Sequence, residues 1–144
     1  MSTRARPSER REVFVDSSGY YSLVSARDAN HTEAHAIWTR LSRERWAAYT
    51  TNFVVAEAHA LFLTRLGHYY ATSFLREMAT SSMTVVRATS EDEQQARELI
   101  YRYDDHDLSY TDAVSFVVMR RLGLDSALAF DRHFEEYGLT VLRD

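Results

Sequence analysis

Between Asp107 and Phe134 the chain reads DLSYTDAVSFVVMRRLGLDSALAFDRHF, in which Asp107, Asp112 and Asp131 are the acids whose placement could do chemistry. Asp112 opens an apolar helical pattern, Asp131 directly follows the run SALAF, and Asp107 lies in the polar stretch before both. A carboxylate in apolar surroundings must be paired, protonated or bound to a cation, because desolvating an isolated charge is costly. Acids at the ends of elements are what a bound divalent metal requires. Two earlier positions repeat the arrangement: Asp16 ends the run EVFVD, and Glu57 sits inside the apolar stretch FVVAEAHALFLTRL. Each has a plainer reading alone, Asp16 as a helix cap and Glu57 as a partner for His59 or an Arg. Oxygen ligands without Cys favour Mg²⁺ or Mn²⁺ over zinc.

These acids need elements that bring them together. Glu12 to Asp16 is continuously apolar before its acid, as in a strand buried on both faces of a parallel sheet. Ser17-Ser18-Gly19 break it, and a helix begins at Tyr20. Asn30 to Arg43 is an amphipathic helix with Ala34, Ile37, Trp38 and Leu41 on one stripe. Its His31 and His35 lack the HExxH offset and read as surface residues. Trp46 to Thr50 is a second strand and Thr51-Asn52 a polar start for the helix Phe53 to Leu66, which Gly67 closes. A further helix covers His68 to Thr80, and Met83 to Arg87 is a third strand. Ser90 is the expected N-cap of the next helix with Glu93 at the capping-box position, which assigns Glu91, Asp92 and Glu93 to capping. Ser109 or Thr111 caps the helix carrying Asp112, Ser126 to Phe130 is a fourth strand, and Leu139 to Leu142 a last one. This alternation predicts an α/β sandwich: a mainly parallel sheet of four to five strands with helices on both faces. Such sheets bind ligands at the carboxyl ends of their strands, where all four acids can meet.

Composition narrows the chemistry. A length of 144 residues suits one domain. All 17 basic residues are Arg, so a catalytic Lys is excluded, and with it a receiver-like phosphoacceptor. The absence of Cys removes disulfides and thiolate metal sites. A net charge of −4 argues against coating nucleic acid through sheer basicity. No apolar run is long enough to span a bilayer, so the expected location is cytoplasmic, away from membranes. Residues 1–11, MSTRARPSERR, read as a disordered Arg-rich tail.

VFVDSSG, TTNFVVAEAHAL, LSYTDAVSFVVMRRLG and ALAFDRHFEEYGLTVL together resemble the four successive motifs of PIN-domain ribonucleases, most of all the VapC-type toxins. The resemblance covers residues 12–144 in order and spacing, as a single three-layer PIN-like nuclease domain. It implies a metal-dependent endoribonuclease, the toxin of a type II toxin–antitoxin pair. Asp16, Glu57 and Asp112 match the family's principal metal-binding acids. Asp131 matches the fourth, which often acts through a metal-bound water, and Asp107 an accessory position. Ser17 and Thr51 match its supporting hydroxyls. Implied partners are RNA, a cognate antitoxin and a second copy in a homodimer. Arg132, Arg120 and Arg121, together with the cluster Arg40, Arg43 and Arg45, are candidate phosphate contacts. The alternative is a PIN-like module that has lost catalysis and binds RNA or protein, against which stands the retention of all four acids. Nucleases of related fold that act on DNA structures carry extra helical regions that this chain lacks.

Overall fold

The computed structural model describes residues 10–103 and 107–144. Strands β1 (Glu12–Val15), β2 (Ala47–Thr51), β3 (Thr84–Val86), β4 (Ser126–Leu128) and β5 (Thr140–Val141) form one sheet in the order β3-β2-β1-β4-β5. Every pairing is parallel, for example Phe14 opposite Tyr49 on one side and opposite Ala127 on the other. Seven helices connect the strands among the described residues: α1 (Ser17–Val24), α2 (His31–Arg43), α3 (Asn52–Arg65), α4 (His68–Thr80), α5 (Ser90–Arg102), α6 (Tyr110–Leu122) and α7 (Arg132–Glu136). None of them is long and apolar enough to cross a membrane. The chain steps outward from β1 through β2 to β3, then returns across the sheet to β4. Right-handed crossovers put α1–α4 on one face and α5–α6 on the other, giving the three layers.

β1 lies at the centre because it is apolar from Val13 until Asp16: Val13, Phe14 and Val15 are fully buried. At the next residue the strand order reverses direction between β2 and β4, the switch point where open parallel sheets leave a crevice for ligands. The acids therefore meet at mid-sheet, not at one edge.

Several boundaries differ from the sequence expectation. Ser17, Ser18 and Gly19 do not form a break; they are the first turn of α1, because Asp16 caps it by accepting from Ser18 N. Thr89, not Ser90, caps α5, and Asp92, not Glu93, closes the capping box. The one-residue shift buries Asp92, whose carboxylate also takes two hydrogen bonds from Arg121, at 3.0 and 2.8 Å. Burial alone would raise the Asp92 pKa; the Arg121 guanidinium and the Thr89 donors outweigh it and hold the carboxyl below its usual value. β4 stops pairing at Leu128, two residues short of Phe130, which frees Ala129 and Phe130 to turn toward α7.

Of the expected tail over 1–11, residues 1–9 lie outside the described residues. Arg10 and Arg11 are joined to the domain: Arg10 donates to Gly123 O, and Arg11 O accepts from Ala47 N, extending the β1–β2 pairing.

Gly19 sets how closely α1 approaches β4. A Cβ at this position would run into the carbonyl oxygen and carbon of Leu128, which are backbone and cannot step aside. Gly19→Ala is expected to cost about 3 kcal/mol through overpacking, read as a melting temperature lower by on the order of 10 °C. It would also move Asp16 away from the loop carrying Asp131.

Candidate metal centre

Three of the four acids are presented by a helix start. Asp16 follows β1 as the N-cap of α1. Asp131 follows β4 and caps α7, accepting from His133 N at 2.9 Å. Asp112 is in the first turn of α6, whose N-cap Ser109 accepts from Asp112 N. Glu57 lies further along α3, whose start is fixed by Thr51 Oγ1 accepting from Val54 N. Helix N-termini favour negative charge, which eases the crowding of Asp16, Asp112 and Asp131. The cap and site readings of Asp16 are thus one geometry.

The acids converge. Asp16 and Asp112 are buried, while Glu57 and Asp131 are half-exposed. Burial is the main cause that pushes the Asp16 carboxyl up to about 6; the Ser18 hydrogen bonds oppose the shift and the nearby Glu57 charge adds to it. Asp112 is driven up as well, first by burial and then by the charges of Asp16, Asp131 and Glu57, with His133 working the other way. Acids crowded so that the charges of three of them raise the pKa of Asp112 form an arrangement that a cation would complete.

Hydroxyls brace the site. Ser17 Oγ donates to Glu57 Oε1, tying α1 to α3. Ser18 Oγ donates to Asp16 Oδ2 at 2.7 Å and accepts from Phe130 N at 2.9 Å. That hydroxyl joins the loop after β1 to the loop after β4. Thr50 Oγ1 donates to Val15 O and fixes the end of β2 against β1.

Asp16 Oδ1 tests whether the residues fit a metal. It is buried and has no hydrogen-bond partner among the described residues, although such atoms are nearly always satisfied. An unpartnered carboxylate oxygen among further carboxylates suits a divalent cation with oxygen ligands. Asp112, Asp131 and His133 also offer ligand atoms that all lie within 4.8 Å of one another. The residues fit.

Sequence reasoning missed two groups here, Ser18 and His133. His133 is buried, with Nδ1 2.7 Å from Asp131 Oδ1 and 3.6 Å from Asp112 Oδ2. The remaining candidates lie as follows. Asp107 is exposed and meets the site through Arg132, which donates to it at 2.7 Å and to Glu136 at 3.1 Å. Asp104, Asp105 and His106 fall outside the described residues. Arg121 is committed to Asp92, and Arg120 donates to Gln95. Both lie two turns and more beyond Asp112 on α6, about 12 Å or further along the axis. Arg40, Arg43 and Arg45 sit where α2 leads into the beginning of β2, the end of the sheet opposite Thr51.

The chain belongs to the PIN domain family, whose pattern matches residues 13–139. Within that family it is similar to VapC proteins. It is 34% identical over 131 residues to the 23S rRNA-specific endonuclease VapC20 of Mycobacterium tuberculosis, covering 91% of this chain and 98% of the relative. Ribonuclease VapC26 of the same organism is 25% identical over 123 residues, covering 85% and 89%. The crystal structure of M. tuberculosis VapC20, described as a sarcin–ricin loop cleaving toxin, matches with a TM-score of 0.85 at 33% identity, over 92% of this chain and 99% of that one. FitAcB from Neisseria gonorrhoeae shares the fold, with a TM-score of 0.64 at 12% identity over 90% and 96%.

Proposed function

We propose that this protein is an endoribonuclease dependent on Mg²⁺ or Mn²⁺, and the toxin of a toxin–antitoxin pair. The observation that carries the reading is the buried carboxylate group at the switch point, with Asp16 Oδ1 left without a partner. Asp16, Asp112 and Glu57 would hold the cation, with Asp131 completing the set. The chemistry such a cation supplies is Lewis acidity, which activates water near neutral pH and offsets charge on a phosphate.

The chain's own share is positioning. Ser17 and Ser18 hold Glu57 and Asp16, and the helix starts stabilise the ionised acids. Arg132, exposed beside Asp131, is placed to exchange Asp107 for a phosphate of the substrate. Phe53 and Tyr110 stand edge to face at 5.4 Å on the first turns of α3 and α6. They offer splayed bases an aromatic surface near the acids, which favours looped or single-stranded RNA. The similarity to a 23S rRNA-specific endonuclease makes that RNA the first substrate to try.

An antitoxin helix would find a groove of about 740 Å³ bounded by α1, α2 and α4, with Trp38, Trp46, Phe74 and Met78 on its walls. Exposed Leu63, Tyr69, Tyr70 and Leu75 on α3 and α4 form an apolar face suited to a second copy in a homodimer.

Purified protein incubated with 23S rRNA is expected to cut it in the presence of Mg²⁺ or Mn²⁺ and to stop when EDTA is added. Equal cutting with and without EDTA would overturn the metal-dependent reading. Metal binding with no cleavage of any RNA would favour the binding-module alternative.

A further inference from the structure

We infer that His133 is a positioning residue of the carboxylate site: it fixes Asp131 through Nδ1–H and holds it beside Asp112, so the two acids meet a cation at a set separation. The inference rests on reading the acids as a metal site and adds a group that none of the four motif acids supplies.

The geometry at Asp131 carries the argument. One oxygen, Oδ1, accepts twice from the same residue, from His133 N at 2.9 Å and from Nδ1 at 2.7 Å. A carboxylate oxygen that close to a ring nitrogen must face a proton, so Nδ1 is the protonated nitrogen in this arrangement. Two donors use the acceptor capacity of Oδ1 and leave Oδ2 as the oxygen that turns to a cation. A backbone donor alone would fix where Oδ1 lies; the second donor fixes the carboxylate's rotation. Asp112 Oδ2 is 3.6 Å from the same nitrogen, too long for a hydrogen bond and close enough for electrostatic attraction.

The turn that carries the imidazole is anchored. Phe134, the next residue, is fully buried, with ring centroids 6.4 Å from Phe14 and 4.9 Å from Phe116. Tyr137 N closes the turn on His133 O at 2.9 Å. Upstream, Ser18 Oγ anchors Phe130 N. The segment 130–134 is therefore pinned on both sides of Asp131, and His133 turns that rigidity into a fixed carboxylate orientation. Partners that orient a metal-binding side chain typically affect metal affinity by about 10–100-fold when removed.

The test measures Mn²⁺ binding to RNA-free protein by calorimetry, together with the metal-free melting temperature, for wild type, His133→Asn and His133→Leu. Asn keeps a side-chain N–H near the Nδ1 position but cannot ligate a metal through it; Leu keeps bulk and no donor. The expected result is affinity within about 3-fold of wild type for His133→Asn and about 10–100-fold weaker for His133→Leu. On RNA, His133→Leu should lower kcat with little change in KM. Wild-type affinity in a folded His133→Leu would overturn the inference. So would a His133→Asn loss as large as that of Leu, which would make the ring itself a ligand. If His133→Leu does not fold, His133→Asn decides alone by keeping or losing affinity. Failure of the wild type to bind Mn²⁺ would instead overturn the metal site, and this inference with it.

Discussion

Asp16→Asn is expected to lose RNA cleavage by at least about 10³-fold, equivalent to about 4 kcal/mol of barrier, while its metal-free fold becomes more stable than wild type. The two effects have one cause. Asp16 is 2% exposed, carries an unpartnered Oδ1 and lies against Glu57 and Asp112. In the free protein at neutral pH its charge is a liability, opposed chiefly by Ser18 N–H and Oγ–H. Asn keeps an oxygen for both of those donors and removes the charge. The gain is bounded by the shift that burial imposes, from 3.8 to about 6. At about 1.4 kcal/mol per unit that is at most about 3 kcal/mol. Differential scanning calorimetry in EDTA should show a melting temperature higher by several degrees. An Asp16→Asn protein that cuts RNA normally, or that melts well below wild type in EDTA, would contradict the assigned role.

The second large effect is the pH dependence of stability without metal, and its reversal when metal is added. Asp16 binds its proton more tightly in the folded state than in the unfolded chain. The penalty for ionising it is absent below about pH 4, grows as pH rises through about 6, and is complete above that. Asp112, raised by burial and its acidic neighbours, continues the loss toward higher pH. Asp92 works in the opposite sense: its lowered pKa contributes stability above its unfolded value that is lost on acidification. The metal-free protein should melt highest in mildly acidic solution and lower by on the order of 10 °C near pH 8. A cation that binds only the folded state with its acids ionised recovers this loss by mass action. With saturating Mg²⁺ or Mn²⁺ the melting temperature at pH 8 should match or exceed that at pH 5. A metal-free profile that rises steadily to pH 8 would show that the acids are not crowded as described.

The sequence carried the layer order and the acids because both depend on local signals. An uninterrupted apolar run ending on Asp16 marks a central strand and its carboxyl end together. Glu57 inside an apolar helix and Asp112 at the start of another stand out for the same reason. His133 did not stand out, because its role depends on a contact with Asp112 across 21 positions of chain and on Phe134 anchoring the turn. The run Glu91-Asp92-Glu93 looks uniform in sequence, and only the packing of α5 on α6 separates the buried Asp92 from the exposed Glu91 and the half-buried Glu93. Arg121 read as a free cation for the same reason: its partner lies on another helix. Boundaries at Ser17 and Leu128 moved because capping by Asp16 and the end of the β1–β4 pairing are decided by single hydrogen bonds.

The most direct test is the anomalous difference map of a crystal soaked in Mn²⁺. A peak within ligand distance of Asp16 and Asp112, weakened or lost in Asp16→Asn, is the result expected here. A peak elsewhere on the molecule, or none at saturating Mn²⁺, would contradict the claim that these acids form one metal site.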